Sequence, residues 1–195
     1  MAIVSDWFNT LKQIFSSTRG FYQGETDTEV GGKPIRIAFV SLLIAGIINS
    51  VSSLIVLPGE FQLIALADIL LAPLLGIVSI GVQAALVHLM GIILGFKNGY
   101  SETFSAFAYA TVVAPIAALA SIIPVAGPFI GLALGLFALY VQIRGIQEFQ
   151  DISFAKAAVS VIVPVLIIIG ILLVIVFAFS AALVALMGST GAPPV

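Results

Sequence analysis

Few residues in this chain can do chemistry. Deep within its apolar stretches the ionisable side chains are Asp68 and His88, and such a group at membrane depth points to function because burying it in lipid is costly. They stand twenty positions apart in one stretch, ~30 Å along a helix, so a straight helix cannot join them as an acid–base dyad. Asp68 has two readings, a proton relay or an acid near a helix end that reaches interfacial water, and the second is the more ordinary. His88 reads as a hydrogen-bonded or snorkelling residue, because with no second His and no Cys a metal site cannot be completed. Asn49, Gln83 and Gln142 read as interhelical hydrogen-bond partners. Tyr140, Arg144 and Glu148 follow i, i+4, i+8 spacing, so Arg144 is expected to pair with Glu148 on one helix face, as a snorkelling pair or as a docking patch for a cytoplasmic partner. There is no HExxH, P-loop, GxSxG or acid pair at glycosidase-like spacing. No catalytic residue, metal or cofactor is therefore expected, and the protein is read as non-enzymatic.

The elements that would position these residues follow from composition. Of 195 residues 61% are hydrophobic and 8% charged, with a mean hydropathy of +1.26, whereas soluble domains carry roughly 25% charged residues. No soluble fold fits, and an all-α integral membrane protein does. The formal charge of −2 is small and spread out, without the basic stripe of a nucleic-acid binder. Absence of cysteine removes disulfide frameworks and thiolate chemistry.

Counting apolar runs against the ~17 to 25 residues that a tilted helix needs gives five transmembrane helices, at about 35–57, 63–96, 102–123, 129–146 and 154–187. Pro58, Gly59 and Glu60 end the first. The second and fifth are too long for a ~30 Å hydrocarbon core, and Pro73 and Pro164 inside them are expected to kink them. A turn at 124–128 joins spans three and four into a hairpin, and a short tail, 188–195, closes the chain. Ahead of the 35–187 domain, residues 1–34 form an amphipathic helix and a polar linker. The first residues show no uninterrupted apolar signal segment. Trp7, Phe8, Leu11, Ile14 and Phe15 share one helical face opposite Asp6, Asn9, Lys12 and Gln13, and the helix is expected either to lie in the membrane interface or to dock on the bundle, with equal support.

Basic residues set the orientation. Lys12, Arg19, Lys33, Arg36, Lys97, Arg144 and Lys156 are all seven of them, and with five spans every one falls on a single side, which the positive-inside rule makes cytoplasmic. The N terminus is then cytoplasmic and the C terminus lies across the membrane. Small residues at every fourth position, Ala106, Ala110, Ala114 and Ala118 in span three, Gly127, Gly131 and Gly135 at span four, and Gly91 with Gly95, predict close helix packing, within the chain first and between copies second.

One family resemblance follows from the residues. From 99 to 167 the Gly99, Tyr100 turn, the Phe107, Tyr109 and Pro115 pattern, the reversal between Pro124 and Pro128, and the polar turn leading to Ser153, Ala155, Lys156 and Ala157 occur in that order. This stretch resembles the second half of the YIP domain, the family of Ypt/Rab-interacting membrane proteins, and with the Trp7 to Phe15 segment it is similar to the prokaryotic members. The resemblance implies a five-span domain with a cytoplasmic N terminus. For eukaryotic relatives it implies roles in vesicle budding and membrane organisation through partner proteins. The acidic, tyrosine-bearing motif of those relatives is not evident here, so small-GTPase binding is not carried over. Two functions are expected. One is a membrane-organising or adaptor protein contacting lipid, other membrane proteins or a second copy of itself. The other is a small-solute or lipid transporter using the proline-broken spans two and five.

Overall fold

The computed structural model describes residues 2–56 and 62–189. Pro58, Gly59 and Glu60, and the end of the tail at 190–195, lie outside the described residues. Among the described residues seven α-helices follow one another: α1 Ala2–Gly24, α2 Lys33–Val56, α3 Gln62–Leu94, α4 Tyr100–Ala110, α5 Ala114–Ser121, α6 Ala126–Phe149 and α7 Phe154–Ser189. Five stretches are long and apolar enough to cross a membrane, α4 and α5 together supplying the third.

Large apolar side chains cover the outside of the bundle, as lipid demands. The third span is the hub: 72% of its most apolar stretch is buried, against 33, 17, 17 and 11% for the others. Its buried run, Thr103 through Ala110, is rich in small residues, which lets α2, α3 and α6 approach from every side.

α3 and α7 run through Pro73 and Pro164 as continuous helices, so spans two and five are not broken. The span that changes its winding is the third, where Thr111–Val113 form a 3-10 turn just ahead of Pro115, the second residue of α5. A proline has no N–H for the carbonyl one turn back and its ring crowds that carbonyl. The helix therefore tightens before Pro115 and restarts with proline in its tolerated first turn.

Turn chemistry accounts for two of the glycines. Gly95 has φ +90, and Phe96 N–H donates to Gly91 O at 2.9 Å while Gly95 N–H donates to Ile92 O at 3.2 Å, the paired bonds of a Schellman cap. The Phe96 ring fills the space a Gly91 side chain would need. These two glycines thus close α3 on itself and do not form a helix-packing pair.

At the opposite end α5 turns into α6 through Val125, at φ 65 and ψ −54, with Ala126 N–H donating to Pro124 O at 2.7 Å. This is the rare positive-φ γ-turn, strained for a β-branched residue. Val125→Gly is expected to stabilise the hairpin by about 1 kcal/mol, because relief of strain exceeds the added freedom of the unfolded chain. A rise in the thermal midpoint of the detergent-solubilised protein checks it.

Candidate functional site

Polar and aromatic side chains converge at the end of the bundle that carries the basic residues, and α1 builds much of that end. Its residues Trp7, Ile14 and Phe21, at seven-residue spacing, are buried with Thr10 and Thr18 against the spans. The Trp7 indole N–H donates to Ser41 Oγ at 2.9 Å. Phe8 and Phe15 stay 58 and 47% exposed. The expected apolar face is therefore divided: one edge docks on the bundle and the other remains open. A bend at Ser17 (φ −161, ψ 85) lets the helix follow the bundle's end, and Ser17 Oγ caps the second segment by accepting from Gly20 N–H at 3.2 Å.

Behind the bend, Tyr22 and Tyr109 form the centre of an aromatic cluster. Ring centroids lie 5.0 Å apart for Phe21 and Tyr109, 5.1 Å for Tyr22 and Phe149 and 6.3 Å for the two tyrosines. Burial pushes the Tyr22 phenol upward and keeps it neutral. Gly145 makes room for it, since a Cβ there would lie 2.7 Å from Ala106 Cβ and 2.8 Å from Tyr22 Cζ.

The polar linker is a strap across this cluster, with Thr26 and Glu29 exposed on its outer side. Tyr109 O–H donates to Asp27 O at 3.1 Å and Ser105 O–H to Thr28 O at 2.9 Å. The Asp27 carboxylate accepts from Lys33 N–H at 2.9 Å, placing a negative charge at the positive start of α2. Lys33 pairs with Glu25 and lies 5.8 and 6.0 Å from the Phe21 and Tyr109 ring centroids.

A second network ties the turn after α3 to the end of α6. Gln150, fully buried, donates to Gly99 O at 3.0 Å and to Thr103 Oγ1 at 3.1 Å, and its own Oε1 accepts from Asn98 N–H at 3.0 Å. His88 Nδ1 lies 3.0 Å from Thr103 Oγ1. Outside this network Lys97 pairs with Asp151, and that hydrogen bond, then the lysine's charge, holds the Asp151 carboxyl below its usual range.

The expected pair of Arg144 with Glu148 does not form. Glu148 accepts from Arg19 Nε at 3.1 Å and from Gln23 Nε2 at 3.3 Å, because α1 brings a basic side chain that spacing along α6 could not reveal. Arg144 donates instead to Tyr140 Oη at 3.1 Å and Gln147 Oε1 at 2.8 Å.

Other sequence candidates lie elsewhere. Asp68 is half-buried near the start of α3, remote from this end. Pro115 is buried at the start of α5. Gly131 and Gly135 have nothing within 4 Å of a built Cβ, so they do not pack against a helix as the spacing predicts. They line a cavity of about 330 Å³ with Gly76, Gln83, Thr111 and Gln142. Gln83 bonds Ser79 of its own helix at 2.9 Å, and neither Asn49 nor Gln142 has a hydrogen-bond partner among the described residues. The expected interhelical amide bonds are thus absent there because the amides face open space. Spacing alone missed Gln150, Thr103, Tyr22 and Gly145. The heptad step from Trp7 to Ile14 to Phe21 was the signal for α1 docking.

The model of the Yip1 domain family matches residues 12–177. No curated protein and no solved structure matches the chain. The family match begins inside α1 and ends in α7, taking in the strap, both tyrosines and the Gln150 network, and this multi-pass membrane protein belongs to the Yip1 domain family.

Proposed function

We propose that this protein organises membranes without catalysis, by holding an amphipathic helix against a five-span bundle at one leaflet. The carrying observation is the division of α1: Trp7 and Ile14 are buried in the bundle while Phe8 is exposed along its outer edge and Phe15, half exposed, rests one side of its ring on Phe137. An apolar edge of this kind inserts into the boundary of head groups and acyl chains, and such binding responds to curvature. Because α1 adds cross-section at the basic end, the protein is a wedge in that leaflet. The one-sided basic residues support a cytoplasmic placement of that end and of the N terminus, with the C terminus across the membrane.

Transport through spans two and five finds less support. The cavity of about 330 Å³ is lined from α2, α3, α4, α5 and α6 and the turn between α4 and α5, with neither Asp68 nor a residue of α7 in its wall.

Reconstitution into a mixture of small and large vesicles tests the wedge. Enrichment of the wild type in small vesicles, lost in Phe8→Ser/Phe15→Ser, is the expected result. Equal partition of both proteins would contradict it.

A further inference from the structure

Among the described residues Arg144 pairs with no acid. The two carboxylates near the end of α6 are taken by other partners, Glu148 by Arg19 and Gln23, and Asp151 by Lys97. Arg144 is held by aromatic rings, with its guanidinium carbon 4.7 Å from the Phe154 centroid and 5.3 Å from that of Tyr140. These rings are 40 and 37% exposed, so the guanidinium lies at the surface of the bundle where α6 hands over to α7.

Its hydrogen bonds give this surface a polarity. Arg144 uses Nε on the Tyr140 oxygen and Nη1 on Gln147 Oε1. Both neighbours thus turn an acceptor lone pair towards the arginine, and each keeps a donor to offer, the Tyr140 O–H and the Gln147 amide N–H. Neither donor has an acceptor among the described residues. Nη2 of Arg144 is likewise uncommitted among them. The result is a rim of donors around one fixed positive charge, with exposed aromatic carbon on the membrane side.

We infer that Arg144, Tyr140 and Gln147 bind the phosphate of an acidic phospholipid in the leaflet at the basic end. A guanidinium and neighbouring O–H and N–H donors match a phosphodiester oxyanion, and planar arginine is suited to it. The Phe154 and Tyr140 rings are placed to contact the glycerol and the first acyl carbons. A zwitterionic lipid fits less well, because its ammonium group would meet donors and no free carboxylate. The site does not depend on whether α1 bends the bilayer.

The test uses the full chain in nanodiscs made from equal parts phosphatidylglycerol and phosphatidylcholine, with retained lipids counted by native mass spectrometry. Wild type is expected to retain phosphatidylglycerol over phosphatidylcholine by about fivefold, and Arg144→Gln to bring the ratio near parity. Arg144→Lys, which keeps the charge and loses the planar fork, is expected to fall between them and guards against misfolding as the cause. Arg36→Gln, which removes an exposed basic residue of α2, is expected to keep the wild-type ratio. An unchanged ratio in Arg144→Gln would overturn the site, as would an equal loss in Arg36→Gln, which would assign the preference to the basic face at large. Displacement of the retained lipid by inorganic phosphate would overturn the lipid assignment and leave a site for free anions. A lysine variant equal to wild type would overturn the part given to the donor rim.

Discussion

Gly145→Leu is expected to abolish the folded bundle. A Cβ at Gly145 would stand 2.7 Å from Ala106 Cβ, 2.8 Å from Tyr22 Cζ and 3.0 Å from Tyr22 Cε1. Those neighbours are 0 and 2% exposed, so neither can step aside without moving α4 or α1. Even alanine overpacks this point at a cost of about 1–3 kcal/mol, which exceeds the roughly 0.5–1 kcal/mol that a mid-helix Gly gains on becoming Ala. Leucine adds branches to the same collision and should cost more than 4 kcal/mol, roughly the upper end for single substitutions. Gly135→Ala is the counterpart: nothing lies within 4 Å of a Cβ there, so the propensity gain stands alone, at about 0.5–1 kcal/mol. Thermal scans of the detergent-solubilised variants should order Gly135→Ala at or above wild type, then wild type, then Gly145→Ala, with no cooperative transition for Gly145→Leu. A Gly145→Leu protein that melted like wild type would refute the packing of α1, α4 and α6 at this residue.

Tyr109→Ala should release α1 and the strap while leaving the spans in place. Tyr109 is fully buried, stacks edge-on with Phe21 at 5.0 Å and donates to the strap carbonyl of Asp27. Emptying such a site costs about 3–5 kcal/mol. The loss falls on α1 and the strap because Tyr109 touches both, and what remains to hold them is Trp7 to Ser41, Tyr22 to Ala106 O and Phe149, Ser105 to Thr28 O, Arg19 and Gln23 to Glu148, and Phe15 against Phe137. Tyr109→Phe removes the strap bond alone and should cost about 1 kcal/mol. The single tryptophan, Trp7, reports directly, since it is 5% exposed when docked. Its emission should shift to the red in Tyr109→Ala, with protease cleavage appearing in residues 25–32, and should stay near wild type in Tyr109→Phe. Unshifted emission in the alanine variant would show that the tyrosine cluster does not hold α1.

Much of the architecture is legible from hydropathy, because lipid imposes length and apolarity on each span regardless of partners. Fourfold spacing makes Gly91 and Gly95 a packing pair, whereas the structure uses them to cap α3. What escapes is decided by neighbours distant in sequence. Spacing on α6 makes Glu148 the natural partner of Arg144, yet α1 supplies Arg19 from 129 positions away. The fourfold glycine pattern singles out Gly127, which lies close against Ala120, but also Gly131 and Gly135, which meet nothing, while another close approach falls on Gly145, which belongs to no such pattern. Amphipathic periodicity cannot distinguish a bilayer from a bundle as the apolar phase, so both destinations of α1 were readable, and the structure docks one edge of its face on the bundle. Glu25 and Asp27 look like solvated linker charges until Lys33 and the α2 terminus are brought beside them.

The central claim is a five-span bundle whose basic end, with α1 docked on it, faces the cytoplasm. Single-cysteine accessibility measures this most directly, since the chain has no cysteine of its own. Thr26→Cys in the strap and Lys97→Cys after α3 should react with a membrane-impermeant maleimide only after the cells are opened. Ile123→Cys, 48% exposed beside the α5–α6 turn, should react in intact cells. Labelling of Ile123→Cys and Lys97→Cys from the same side would contradict the five-span arrangement, and labelling of Thr26→Cys in intact cells would contradict the orientation.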